Sequence, residues 1–297
     1  MKWNRLMTGA FGLLFSLSSF AQTNLLNANT PDQIGKLTEA ELLVSAHNEP
    51  LEYGYIDDRD ILWAKNTWEI IDLDERVNFP LYYPIDTLNI GADRKSLYNV
   101  LMSAIRSGEI KNIYADSYFR EKRVLSDISA ALSKIDTTDL GIEQYNAGEQ
   151  IDQQFIDRRD LSAADIAEYH IRGMWYFDKR QAELKYRILG IAPVAPDVNF
   201  IDDEEPQLVE LFWVWFPDAR EVLFNNTAFT RGNSAQDVTF DHLLNARRFH
   251  AIIYKEENVY GDRGVNDYIT EGAFMQLIES QRIKEQIRNF EQDMWNY

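Results

Sequence analysis

The sequence predicts an α+β fold: a mainly antiparallel sheet flanked by amphipathic helices and preceded by an extended N-terminal segment. Three observations carry this reading. From Glu183 to Ile191 apolar and charged residues alternate, with Leu184, Tyr186 and Ile188 on one side and Lys185 and Arg187 on the other, the period of a half-buried strand. The run LVELFWVWF, Leu208 to Phe216, is apolar on both faces, as in a central strand covered on both sides or one that presents a face to a partner. Leu97, Val100, Leu101, Ala104 and Ile105 recur at three and four residues, which marks a helix burying one stripe.

The chain opens with the marks of a secretory leader, residues 1–21. Lys2 and Arg5 supply the positive region, Leu6 to Leu17 the apolar stretch, and Ser19-Phe20-Ala21 a small-x-small cleavage site. The stretch is shorter than the roughly twenty residues of a bilayer-spanning helix, so no direct membrane insertion is expected. With no Cys at the predicted mature start, Gln22, the chain is not expected to carry its own lipid anchor. Loss of the leader's two positive charges takes the formal net charge from −18 to −20, which disfavours nucleic acid and anionic lipid as partners. The absence of Cys excludes disulfides, so stability must come from packing or assembly.

Residues 22–45 read as the extended segment: polar and Asn-rich to about Leu37, too poor in apolar area to order alone, then a short helix opened by the capping box Thr38-x-x-Glu41. Leu25 and Leu26 are its candidate anchors for a partner. Residues 46–297 form the globular part, divisible into halves at 46–135 and 160–297. Within it, Ile61 to Leu73 is predicted extended, and Phe79-Pro80 and Tyr83-Pro84 break any regular element. The helix over Leu97–Ile105 stops at Gly108, and Val124, Leu125, Ile128, Ala131 and Leu132 mark a second. Residues Ile135 to Arg159 are polar, carry Gly141 and Gly148, and read as a linker. Ser162 then caps a short helix through Tyr169. A helix over Phe240–Phe249, a strand through AIIYKEENVY and a last helix from Glu271, with Ile283, Ile287, Phe290 and Met294 in one stripe, complete the set. An echo links SLYNVLMSAIRSGEIKNIYADSYF to TFDHLLNARRFHAIIYKEENVY, each a helix running into an Ile-Tyr strand.

The search for chemistry is negative. Cys nucleophiles are absent, and no Gly-x-Ser-x-Gly elbow, Ser-x-x-Lys pair or phosphate-cradling glycine loop exists. His47, His170, His242 and His250 lack metal-ligand spacing, so no catalytic, cofactor or metal residues are assigned. The acidic groups at Asp57-Asp58-x-Asp60 and Asp72-x-Asp74-Glu75 lie among aromatics and are expected to cap turns and pair with Arg59 and Arg76. Their nearness to Trp63 and Trp68 supports an alternative, a carbohydrate-binding or glycan-hydrolysing protein. Aromatics dominate otherwise, and a strand such as LFWVWF must be covered on both faces. A stack or ring of subunits supplies one such cover, with Phe212, Trp213 and Trp215 as interface candidates and the two tryptophans on the same side.

Three runs carry a resemblance: LEYGYIDDRDILWAKNTWEIIDLDERVNFPLYYP (Leu51 to Pro84), GMWYFDKRQAELKYRILGIAPVAPDV (Gly173 to Val198) and ELFWVWFPDAREVLFN (Glu210 to Asn225). With RRFHAIIYKEENVYGDR and RIKEQIRNFEQDMWN near the C-terminus, they resemble the gliding motility GldN family, called PorN in non-gliding relatives, of the type IX secretion system of Bacteroidetes. The resemblance implies a non-catalytic, cofactor-free structural subunit on the periplasmic side of the outer membrane. It also implies a ring formed with a GldK-type lipoprotein, self-association within that ring, and contact with a GldM-type protein.

Overall fold

Strand β1, Ile61–Asp72, runs where the aromatic segment is predicted extended. Its alternation places Trp63, Lys65, Thr67, Glu69 and Ile71 on one face and Ala64, Asn66, Trp68 and Ile70 on the other. The computed structural model describes residues 49–86, 95–148, 152–201, 206–229 and 238–295. The chain divides into Met1–Glu49 and a second unit, Pro50–Tyr297. The predicted leader, the extended segment with Leu25 and Leu26, and the capping box at Thr38 lie outside the described residues.

One seven-stranded sheet organises this unit, and every strand pair in it is antiparallel. Besides β1 it contains β2 (Ile113–Tyr114), β5 (Glu168–Asp178), β6 (Glu183–Pro196), β7 (Leu208–Glu210), β8 (Trp213–Trp215) and β11 (Ile252–Glu256). The order is β11-β1-β5-β6-β8-β2, with β7 also paired to β6. The α+β expectation therefore holds, and the alternating strand at Glu183 is half of the central hairpin. The sheet mixes both sequence halves, since β1 inserts between β5 and β11.

The apolar run Leu208–Phe216 is not one central strand. It breaks at Leu211-Phe212 into β7 and β8, and Phe216 already begins helix α5 (Phe216–Asn225), with Pro217 in the first turn, where its missing N–H costs nothing. Its cover comes from within the chain: Phe212, Val214 and Phe216 sink into the main core, and Trp213 packs with Trp68 and Ala192.

Helix α2, Leu97–Ser107, matches its periodicity. The Ser96 hydroxyl accepts the Asn99 N–H at 3.3 Å, and Gly108 closes the helix at φ 80°, where a side chain would be strained. With α5 and α6 (Phe240–Asn245), it covers the face that carries Ile71, Ile171, Ile191 and Val214. Four local predictions need correction. Phe79-Pro80 does not break regularity, because α1 (Phe79–Tyr82) is a single turn with Pro80 at its start. The turn capped by Ser162 spans only Ala163–Asp165, and Tyr169 already belongs to β5. The helix at Phe240 ends at Asn245, four residues before Phe249. The linker contains a ribbon of β3 (Ser133–Thr137) and β4 (Ile156–Asp160), joined through helix α4 (Asp139–Asn146). Ile135 and Ile156 are exposed, so the ribbon buries too little for an alternation to be read. Upstream, α3 (Leu125–Leu132) forms as its spacing predicts, with Ile128 and Leu132 buried.

Strands β9 (Thr227–Ala228) and β10 (Val238–Thr239) pair beside α6. After β11 come α7 (Val265–Tyr268) and the long helix α8 (Ala273–Trp295). Helix α8 lies against the outer edge of β11 and satisfies its polar groups. The Ile253 N–H donates to the Ser280 hydroxyl at 2.9 Å and the Lys284 ammonium donates to the Ala251 carbonyl, which removes a free edge. Ile283 and Ile287 are buried beneath it, and Phe290 stacks on Trp63 at 4.7 Å. The sequence echo has a structural counterpart. Ser96 and Thr239 cap the two helices, a left-handed residue ends each, and the strands that follow, β2 and β11, form opposite edges of the sheet.

Candidate functional site

Two rows of cross-strand neighbours make an apolar floor at one end of the sheet. Ile252, Ile70, His170 and Ala192 pair in one row, and Glu168, Val194 and Glu210 in the next. Residues paired directly across strands share a face, so both rows look the same way. Above them opens a groove of about 500 Å³, walled by Leu208 on β7 and by Leu277 on α8.

A clamped histidine lies in this floor. His170 Nδ1 sits 2.7 Å from Glu210 and Nε2 sits 3.4 Å from Glu168, while the Trp213 indole N–H donates to the other Glu210 oxygen at 2.7 Å. Burial alone would depress the imidazolium, but hydrogen bonds to the two carboxylates outweigh it and hold His170 above the usual histidine range. Burial likewise works against the Glu210 charge, and the bonds from His170 and Trp213 reverse the balance and lower its pKa. Tyr254, whose ring lies 4.9 Å from His170, is pushed far up by burial and then by the Glu210 charge. The arrangement is one histidine held between two carboxylates at the base of a mainly apolar groove.

The opposite face holds a second buried pair. Glu69 is fully buried and is gripped by Arg247 through two bonds, at 3.3 and 2.7 Å. Arg247 takes the left-handed position after α6, at φ 49°, and its N–H and that of Arg248 close the helix on Leu244 and Leu243. This site ordinarily selects glycine. The guanidinium also lies 4.1 Å over Tyr186 and 5.1 Å over Trp175, beside a cavity of about 370 Å³. Tyr186 crosses β5 where Gly173 sits, and a Cβ on Gly173 would collide with its hydroxyl. Burial, then the Glu69 charge, raises the Tyr186 phenol well above its ordinary value.

The predicted interface residues separate. Phe212 and Trp213 are wholly buried inside the chain, Phe212 in the main core and Trp213 against Trp68 and Ala192. Trp215 keeps partial exposure and meets Phe119 edge-on at 4.8 Å. The acidic groups cap turns as expected: Asp57 accepts the Arg59 N–H, and Asp72 accepts the Asp74 N–H at 2.8 Å. Those two groups stand at opposite ends of β1, roughly 40 Å apart by strand rise. The paired carboxylates of glycosidases stand within about 10 Å of each other, so one carboxylate from each group cannot form such a pair. Among the described residues, no group of three or more His, Cys, Asp or Glu side chains is placed to hold a metal ion.

Sequence reasoning assigned His170 no role and did not single out Arg247. Glu168 shares the strand face of His170 at i−2, which was a readable signal, but Glu210 is 40 residues away and Glu69 lies 178 residues from Arg247.

The family model described as gliding motility associated protein GldN matches residues 56–296. No curated protein matches the chain. Among the described residues, no helix is long and apolar enough to cross a membrane.

Proposed function

The chain belongs to the GldN family of gliding motility associated proteins, and on that premise we propose that it is a non-catalytic structural subunit of the type IX secretion and gliding machinery. In this reading residues 1–21 direct export and are removed, and residues 22–45 become ordered on a partner through Leu25 and Leu26. The folded part works in the periplasm, held to the outer membrane by a GldK-type lipoprotein with which it builds a ring, and it contacts a GldM-type protein. Trp215 is the member of the predicted aromatic trio that retains surface for such contacts.

The observation that carries this reading is the family match along nearly the whole folded chain. It is supported by a sheet whose β11 edge is closed by α8, and which carries a mainly apolar groove on the face away from the main core. The test is co-expression of the mature chain with a GldK-type lipoprotein, followed by purification and electron microscopy. Closed rings containing both chains are expected, and the Trp215→Ala chain should fold normally yet assemble less. A stable monomer with no affinity for the lipoprotein would end the proposal.

A further inference from the structure

Helix α8 carries two apolar stripes, and only one of them is covered by the described residues. Ile283 and Ile287 are buried against the sheet, whereas Phe274, Leu277 and Ile278, spaced at three and four residues, stay exposed, Phe274 by 73% and Leu277 by 46%. Leu277 is also a wall of the groove above Ile70, His170 and Val194, so exposed stripe and groove form one apolar surface. At its base Glu168 and Glu210 keep a quarter and a third of their side-chain surface, 25% and 33%, with His170 between them.

From this geometry we propose that the groove and the outer stripe of α8 dock a polypeptide segment of another protein, one that sets apolar side chains beside a Lys or Arg. This rests on the reading of the chain as an assembly subunit and names the chemistry of one partner. Apolar side chains fill the space over Ile70 and Val194, and the cation meets the part-exposed carboxylates of Glu168 and Glu210. Charge argues against a second copy as occupant. The chain carries −18 overall, the groove has the same sign, and exposed Glu271 stands just before α8, so a like-charged copy would be repelled.

The experiment uses the mature chain and two synthetic amphipathic peptides of about fourteen residues, four helical turns. Both carry the same Leu stripe, one with Lys and the other with Glu at the flanking positions. Fluorescence anisotropy should show the Lys peptide binding at least tenfold tighter, with the preference shrinking in salt. Leu277→Asp, at an exposed position, should weaken binding about tenfold or more while leaving the thermal melt unchanged. Glu168→Gln should reduce the preference for Lys. Equal affinity for the two peptides, no binding of either, or an unaffected Leu277→Asp chain each overturns the proposal. So does a concentration-dependent dimer of the unliganded chain that Leu277→Asp abolishes, which would make a second copy the occupant. Peptide binding is read without the lipoprotein, so failure to form rings and failure of this docking site are separate results.

Discussion

Replacing Arg247 by Met removes the only guanidinium that grips Glu69 among the described contacts while keeping an apolar stem over Tyr186 and Trp175. The Glu69 side chain has no exposed surface, so its charge would be left in the interior with the Thr67 hydroxyl at 3.3 Å, the Tyr186 phenol and the more distant Lys284 as its remaining polar neighbours. Breaking a buried pair on one side costs about 3–5 kcal/mol, mostly the penalty of the charge left behind. For a chain of this length each kcal/mol moves Tm by about 2 °C, so Tm should fall by about 6–10 °C. Urea unfolding should show a lower midpoint at constant slope. The double variant Glu69→Gln/Arg247→Met, which removes both charges, should recover more than half of the loss. Arg247→Gly separates two effects, because glycine relieves the left-handed backbone, worth about 1 kcal/mol, yet still strands Glu69. It should therefore destabilise too, since glycine also gives up the stem over Tyr186 and Trp175. A loss below about 1 kcal/mol for Arg247→Met, or a double variant no more stable than the single one, would refute the reasoning.

Two further outcomes follow from the same face-by-face account. The pKa of His170 is raised in the folded chain from about 6.5 unfolded, so its contribution is complete below that value and fades as pH rises through the folded value. Glu210, lowered on folding, contributes above its unfolded value and fades as pH falls through the folded one. The Tm advantage of the natural chain over His170→Gln should thus be greatest in mildly acidic buffer and narrow toward alkaline pH; an advantage that grows with pH would contradict the clamp. Ser280→Ala should leave the Ile253 amide without an acceptor, costing about 1–3 kcal/mol and speeding hydrogen exchange at β11, and a variant with unchanged exchange there would show that α8 does not seal that edge.

Legibility in the sequence followed locality. Alternation exposed β6, the three-four spacing exposed α2, α3 and α8, and Ser96 and Gly108 bounded α2 at both ends, because each signal lies within a few residues of its cause. The ribbon of β3 and β4 stayed hidden because neither face is consistently buried, and the break at Leu211-Phe212 did because every residue around it is apolar. Trp213 and Trp215 do share a side, but the loop carrying Phe119 already packs against both, a contact no local pattern shows.

By itself, the sequence determined the α+β class, strands β1, β6 and β11, helices α2, α3 and α8, the acidic charge and, through its long runs, the family. These depend on composition and on periods that repeat along the chain. Only the tertiary structure decided which aromatics have free surface, that His170 lies between Glu168 and Glu210, that Arg247 occupies a glycine position to hold Glu69, and that a groove opens beneath α8. Each of those needs residues tens to hundreds of positions apart to meet across a sheet. Pairing at that range is set by the order β11-β1-β5-β6-β8-β2, which no local pattern encodes.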